Sequence, residues 1–234
     1  MDSSEQIKQF FLLQINDALF PVGGYSHSFG METYIQNGVV HDAKSAEEYL
    51  KANFGQSFLY GDLLCVRLAW ELAYEGDVDG LAELEEIALA SKSPEEIREA
   101  SHKIGSRFIK TVRAMTEPHM WQNSVFDDYV GRIKKDASHA VAYGVCCASM
   151  EISRENALYA YLYAQVSAML TCCVKAVPLS QTDGQKILFD LFGMMSDMLK
   201  KVEQLDGDDV YRSSPAFDIR SMEHEVLYSR LFMS

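Results

Sequence analysis

The sequence predicts an all-α fold, a single-domain bundle of about eight to ten helices. Three observations carry that expectation. Apolar residues recur at helical spacing over long stretches. The 5 Pro and 14 Gly of the 234 residues lie mostly between those stretches, where breakers end helices. No run of alternating, β-branched residues compels a strand. Hydrophobic residues make up 48% and charged residues 24%, enough apolar material for a sizeable core, which excludes a disordered or collagen-like chain.

From the N-terminus, residues 6–18 place Ile7, Phe10, Phe11, Gln14 and Ala18 on one helical face, which the breakers of Phe20-Pro21-Val22-Gly23-Gly24 end. A short helix is expected over 29–36, with Asn37-Gly38 as its left-handed cap. Ser45-Ala46-Glu47-Glu48 has capping-box spacing and opens a long, kinked helix whose apolar residues recur from Tyr49 to Tyr74. Gly76-Asp77 reads as a turn, followed by a helix over 81–89 with Glu83, Glu85 and Glu86 outward. Ser93-Pro94-Glu95-Glu96 supplies an N-cap Ser, a first-turn Pro and an N3 Glu for a helix running to Met115. Pro118 opens another helix, Asp136 caps one through Met150, and Ser153 caps an apolar helix that Pro178 ends. A further helix is expected over 182–205, before the turn Asp206-Gly207-Asp208-Asp209. The domain then spans 1–212, and 213–234 forms a C-terminal tail with Phe217, Ile219, Met222, Val226, Leu227, Leu231 and Phe232, an apolar run that needs something to pack on.

Lys plus Arg number 21 against 34 Asp plus Glu, a formal net charge of -13. Phosphate backbones are bound by cations that displace counterions, so nucleic acid and anionic membrane are poor partners for this chain. The acidity is concentrated: residues 42–99 hold 14 acidic and 5 basic groups, whereas 100–212 balance at 13 each. The acidic stretch reads as a solubilising outer face. Five cysteines, with Cys146/Cys147 and Cys172/Cys173 as neighbours and no CxxC, suggest a reduced, intracellular protein, and the opening MDSSEQIKQFF lacks a signal-peptide pattern; the cytoplasm is expected. The segment 157–177 is long enough to cross a bilayer, but Tyr159, Tyr161, Tyr163, Gln165, Ser167, Thr171 and Lys175 favour a buried helix of a soluble domain.

No Walker loop, GxGxxG, GxSxG or HExxH occurs. Three constellations hold candidate chemistry. In Phe20–Glu32, two glycines free the backbone to approach another surface. His27 and Glu32, five apart on a helix, are too divergent to share a metal readily, and Ser26 or Ser28 reads equally as a cap. In Lys175–Gln185, an apolar helix breaks at Pro178 and Ser180 or Thr182 caps the next, leaving amides that would suit an anion or simply a capped corner. In Glu223-His224-Glu225, one histidine stands between carboxylates that diverge on a helix. Lys103, Arg107 and Lys110 form a basic stripe that would meet an acidic partner or water.

Taken in order, these segments resemble the urease accessory protein UreF family: Phe20-Pro21-Val22-Gly23-Gly24-Tyr25-Ser26-His27-Ser28-Phe29-Gly30-Met31-Glu32, Ala176-Val177-Pro178-Leu179-Ser180-Gln181-Thr182-Asp183-Gly184-Gln185, and Met222-Glu223-His224-Glu225 with Tyr228-Ser229-Arg230-Leu231-Phe232. Met31 and Ser180 depart from the family's usual Leu and Gly. The resemblance implies an all-helical, non-enzymatic scaffold that dimerises and binds the accessory protein UreD, called UreH in some species. The pair would recruit the nickel-carrying GTPase UreG and dock on apo-urease, with nickel handled by the complex, no cofactor held permanently, and the GTPase activity open to modulation. Expected partner-binding positions are Pro21, Gly23, Gly24, Tyr25, His27, Ser28 and Glu32, then Lys175, Pro178, Gln181, Asp183 and Gln185, then His224, Glu225, Tyr228, Arg230, Leu231 and Phe232. Of these, the glycine segment with Tyr25, the corner with Lys175 and the loop with Arg230 are assigned to the GTPase, and the hydrophobic tail, ordered on partner binding, to UreD. No metal site is expected, His27 and His224 being the candidates. A competing reading is an all-helical metal-dependent enzyme using His27, Glu32 and His224; an unrelated helical adaptor is another.

Overall fold

The computed structural model describes residues 3–134, 137–212 and 214–234. Its helices are α1 (Ser3–Ile15), α2 (Met31–Gln36), α3 (Ala43–Asn53), α4 (Leu64–Glu75), α5 (Val78–Ala90), α6 (Glu95–Met115), α7 (Val125–Ile133), α8 (His139–Ser149), α9 (Arg154–Ala176), α10 (Gln181–Asp190), α11 (Phe192–Val202) and α12 (Pro215–His224). No strand occurs among the described residues, so the all-α expectation holds. The bundle is organised around α8, every residue of which from Ala140 to Ser149 is buried. Its small side chains let neighbours approach: a Cβ on Gly144 would sit 2.6 Å from the Val66 carbonyl of α4. α6, α7 and α9 surround the same helix, and rings of Phe108, His139, Tyr143 and Tyr161 fill the space between them. Burial holds the His139 imidazole down to about 4, so it is a neutral core ring.

Local signals placed several elements correctly. Gly38 takes φ +70 after α2, the Ser153 hydroxyl accepts the Asn156 amide at the start of α9, and α9 ends just before Pro178. Other elements differ from their local signals. α1 stops at Ile15 and buries Phe11, Leu12 and Ile15, leaving Ile7, Phe10 and Leu13 exposed. The cap of α3 is Asp42, whose carboxylate takes the Ser45 amide at 2.8 Å; Ser45 is its N3 partner. Pro94, not Ser93, is the N-cap of α6, which frees the Glu96 carboxylate for another task. Pro118 begins only a single 3-10 turn, Pro118–Met120, and α7 starts at Val125. Asp136 lies outside the described residues; Ser138 caps α8 through the Val141 amide. The helix expected over 182–205 is two, α10 and α11, divided at Leu191.

The expected kink falls in a π-helical segment, Phe54–Leu63, where Gly61 leaves helical geometry. Tyr211 seals the break: its amide donates to the Tyr60 carbonyl at 2.7 Å and its hydroxyl to Asp62 at 2.8 Å. Lys92 pairs with the same carboxylate at 2.7 Å. The acidic stretch is therefore not simply an outer face. Asp62 anchors the kink, Glu71 takes Arg67 and Arg154 at 2.8 and 2.6 Å, and Glu85 turns inward, accepting the Tyr129 hydroxyl at 2.5 Å and the Ser138 amide. All five cysteines are buried and unpaired. α9 alone among the described helices is long and apolar enough to cross a membrane, and half of its most apolar window is buried inside the domain.

Candidate functional site

The first and third sequence constellations fold into one structure. Gly23 takes φ +84, the turn Gly24–Ser26 presents Tyr25 outward, and Gly30 takes φ +83 just before α2. Gly30 is doubly required: besides its left-handed backbone, a Cβ there would lie 2.2 Å from the Ser221 hydroxyl and 3.0 Å from the Ser221 Cα on α12. The close crossing of α12 over Gly30 carries His224 into the interior, where it is fully buried.

There a chain of four polar side chains, Glu32, His224, Glu96 and Arg230, links distant segments. His224 Nε2 meets Glu32 Oε2 at 3.2 Å, and Nδ1 meets Glu96 Oε2 at 2.6 Å. Glu96 Oε1 accepts Arg230 at 2.6 Å. Glu32 completes its coordination with backbone donors: Oε1 takes the Leu231 amide at 2.7 Å and Oε2 the Phe232 amide at 3.0 Å. A carboxylate oxygen thus stands at each ring nitrogen of His224. Farther on, the Ser28 amide and hydroxyl donate to the Ser234 carbonyl at 2.6 and 2.7 Å, the Met233 amide donates to the Ser26 carbonyl, and His27 Nδ1 pairs with the Ser234 hydroxyl at 2.8 Å. Burial, with help from nearby Lys103, holds the His27 ring below the ordinary histidine range.

The positions expected to bind partners thus divide into two kinds. His27, Ser28, Glu32, His224 and Phe232 are buried and hold the segments together, while Pro21, Tyr25, Glu225, Tyr228 and Leu231 lie outside and Arg230 is half-exposed. Gly23 and Gly24 border open space. The outcome is a surface of Tyr25, Val226, Tyr228, Leu231 and Met233 resting on a buried ionic frame. Glu96 and Ser221 belong to the frame, and neither is legible in the sequence: Glu96 reads as a capping residue, and Ser221 matters only because Gly30 lies beneath it.

The second constellation stands apart from this frame. Ser180 is the cap of α10, accepting the Asp183 amide at 3.0 Å while donating to its carboxylate at 2.6 Å, and these bonds hold Asp183 below the usual carboxylate range. A Cβ on Gly184 would lie 2.8 Å from Val174 Cγ2, so the glycine closes the corner tightly. Lys175, Pro178, Gln181 and Gln185 point to solvent. The link to the first segment is Cys172, one turn before Lys175, whose thiol donates to the His27 carbonyl at 3.5 Å. The alternative metal triad does not assemble: His27 pairs with Ser234, Glu32 is taken by His224 and the tail amides, and the ring nitrogens of His224 are taken by Glu32 and Glu96. Among the described residues no group of three or more His, Cys, Asp or Glu side chains could hold a metal ion.

Comparison with known proteins gives the frame a context. A family model described as UreF matches residues 40–192. A urease accessory protein UreF of Bacillus sp. (strain TB-90) is 32% identical over 226 residues, covering 95% of this chain and 97% of the relative. The proteins of the same description from Actinobacillus pleuropneumoniae serotype 5b and Haemophilus influenzae are 35% and 34% identical over 224 residues, each covering 95% of this chain, and 97% and 94% of the relatives. The residues matched by the family model stop short of both terminal segments that build the frame, whereas these alignments span nearly the whole chain.

Proposed function

Because the chain belongs to the UreF family of urease accessory proteins, we propose that it acts as a non-enzymatic scaffold in urease maturation. It binds UreD (UreH), recruits the nickel-carrying GTPase UreG, and brings both to apo-urease in the cytoplasm. The observation that carries this reading is the composite surface of Tyr25, Tyr228 and Leu231, in which exposed aromatic and aliphatic side chains rest on buried anchors. Apolar groups held rigidly at the surface favour association over catalysis. Nickel is cargo of the assembly, and the half-exposed Arg230 of the tail is the position that meets the GTPase.

A second surface supports self-association. α1 packs beside α9; the one charge of α1 between Gln6 and Gln14 is Lys8, which is spent on Glu151 at 2.9 Å, and α9 carries none between Glu155 and Lys175. Phe10 and Leu13 are 70% and 67% exposed there, with Tyr159 and Tyr163 on the neighbouring helix. A chain of charge -13 repels its own copy unless the touching faces are neutral, so this face suits a homodimer.

Co-purification tests the reading. The tagged chain is expected to retain UreD and, with UreD present, UreG loaded with nickel and GTP; Arg230→Ala weakens the second step only. Repeated recovery of neither protein overturns the scaffold reading, and a turnover lost on His27→Ala with the fold intact would favour the enzyme.

A further inference from the structure

We propose that the outer ridge of α6 is a docking surface for an acidic protein partner. Residues 100–115 carry Lys103, Arg107, Lys110 and Arg113 and no carboxylate, in a chain whose acids outnumber its bases 34 to 21. The spacing of 4, 3 and 3 aligns the cations along about 15 Å of one helical face. All four are exposed. Lys103 shares Glu99 at 2.7 Å and Arg113 shares Asp127, both pairs at the surface. Arg107 and Lys110 have no ion pair among the described residues, although the chain has carboxylates to spare.

The ridge adjoins the surface already described. Phe20 packs on Phe108 of α6 with ring centroids 6.0 Å apart, and Lys103 is near enough to His27 to weaken its hold on a proton. A partner seated on the surface of Tyr25 and extending past the Phe20–Phe108 contact would bring its rim onto the cations of α6. Complementary charge in that position is carboxylate. A nucleic acid is disfavoured, because a polyanion feels the net charge of -13 before it reaches the ridge, whereas a local carboxylate cluster on a protein acts within about one Debye length.

The inference rests on the maturation reading for its probes, UreD and UreG. Binding of each is measured for wild type, Arg107→Ala/Lys110→Ala and Arg107→Glu/Lys110→Glu, at about 50 and about 300 mM salt. Both positions are exposed, so unchanged circular dichroism and Tm are expected. For one of the two proteins, wild-type affinity falls with salt, the alanine pair weakens it severalfold, and the glutamate pair weakens it at least about tenfold with the salt dependence flattened. Equal binding by all three variants overturns the proposal and leaves the scaffold reading standing. Wild type that binds neither probe overturns both. Wild-type retention of a labelled single-stranded oligonucleotide, lost in the glutamate pair while protein binding is unchanged, also overturns it, reassigning the ridge to nucleic acid.

Discussion

Glu32 and Phe232 stand 200 positions apart in the chain, yet the Glu32 carboxylate accepts the Phe232 amide at 3.0 Å, next to the Leu231 amide on its other oxygen. One buried carboxylate therefore gathers the tail, the α12 histidine and the start of α2. Glu32→Gln keeps the volume but removes one acceptor face and the charge that His224 meets, so the tail loses charged hydrogen bonds of about 2 to 3 kcal/mol. Hydrogen exchange of amides 228–234 is expected to accelerate at least about tenfold while α8 is unchanged. Equal protection in both proteins would show that the tail is held by its apolar contacts alone.

UreD provides the second test of that tail. If partner contact tightens it, exchange of the same amides slows when UreD is added to wild type, and Glu32→Gln regains much of its lost protection on binding. No change on adding UreD would place its contact elsewhere.

Glu85 carries a pH dependence. Burial raises its carboxyl to about 7, against an ordinary value of 4.5, even though Tyr129 and the Ser138 amide favour its charged form. A raised folded pKa gives stability that is complete below the unfolded value and is lost as pH rises through about 7. The amount is about 3 kcal/mol. Glu85→Gln still accepts the Ser138 amide and donates to Tyr129, so its Tm should match wild type near pH 4.5, below the shifted range, and exceed it at about pH 8. Parallel Tm curves would refute the assignment.

Gly30→Ala places a methyl group against Ser221 at a left-handed backbone position. Strain and steric contact together are expected to cost about 2 kcal/mol or more and to displace α12. Gly24→Ala, where a Cβ meets nothing within 4 Å, serves as the control and leaves Tm within a degree or two.

Phe10→Glu combined with Tyr163→Glu puts four like charges on a paired α1 and α9 face. Sedimentation should show a dimer for wild type and a monomer for the variant, with the circular dichroism of both alike, because both side chains are exposed.

What was legible in the sequence follows the range of the forces. The cap at Ser153, the stop before Pro178 and the left-handed Gly38 are decided within one helical turn, by sterics and by amides that have no other partner. The three family-bearing segments could likewise be picked out, as could the all-α class. The inward turn of Glu85, the exposure of Phe10 and the real task of Glu96 were not legible. Each depends on which neighbour arrives from a distant part of the chain: Tyr129 and Ser138 for Glu85, the flank of α9 for α1, and His224 with Arg230 for Glu96.

By itself, then, the sequence determined a helical domain, its local caps and stops, and the segments through which it belongs to its family. Only the tertiary structure decided that two of those segments are one site, and that the acidic stretch lends Glu96 to that site and Asp62, Glu71 and Glu85 to the fold as well as facing solvent. The reason is physical: a carboxylate beside water and a carboxylate beside a buried imidazole look alike in the chain, and the difference lies in the desolvation and hydrogen bonding that packing imposes.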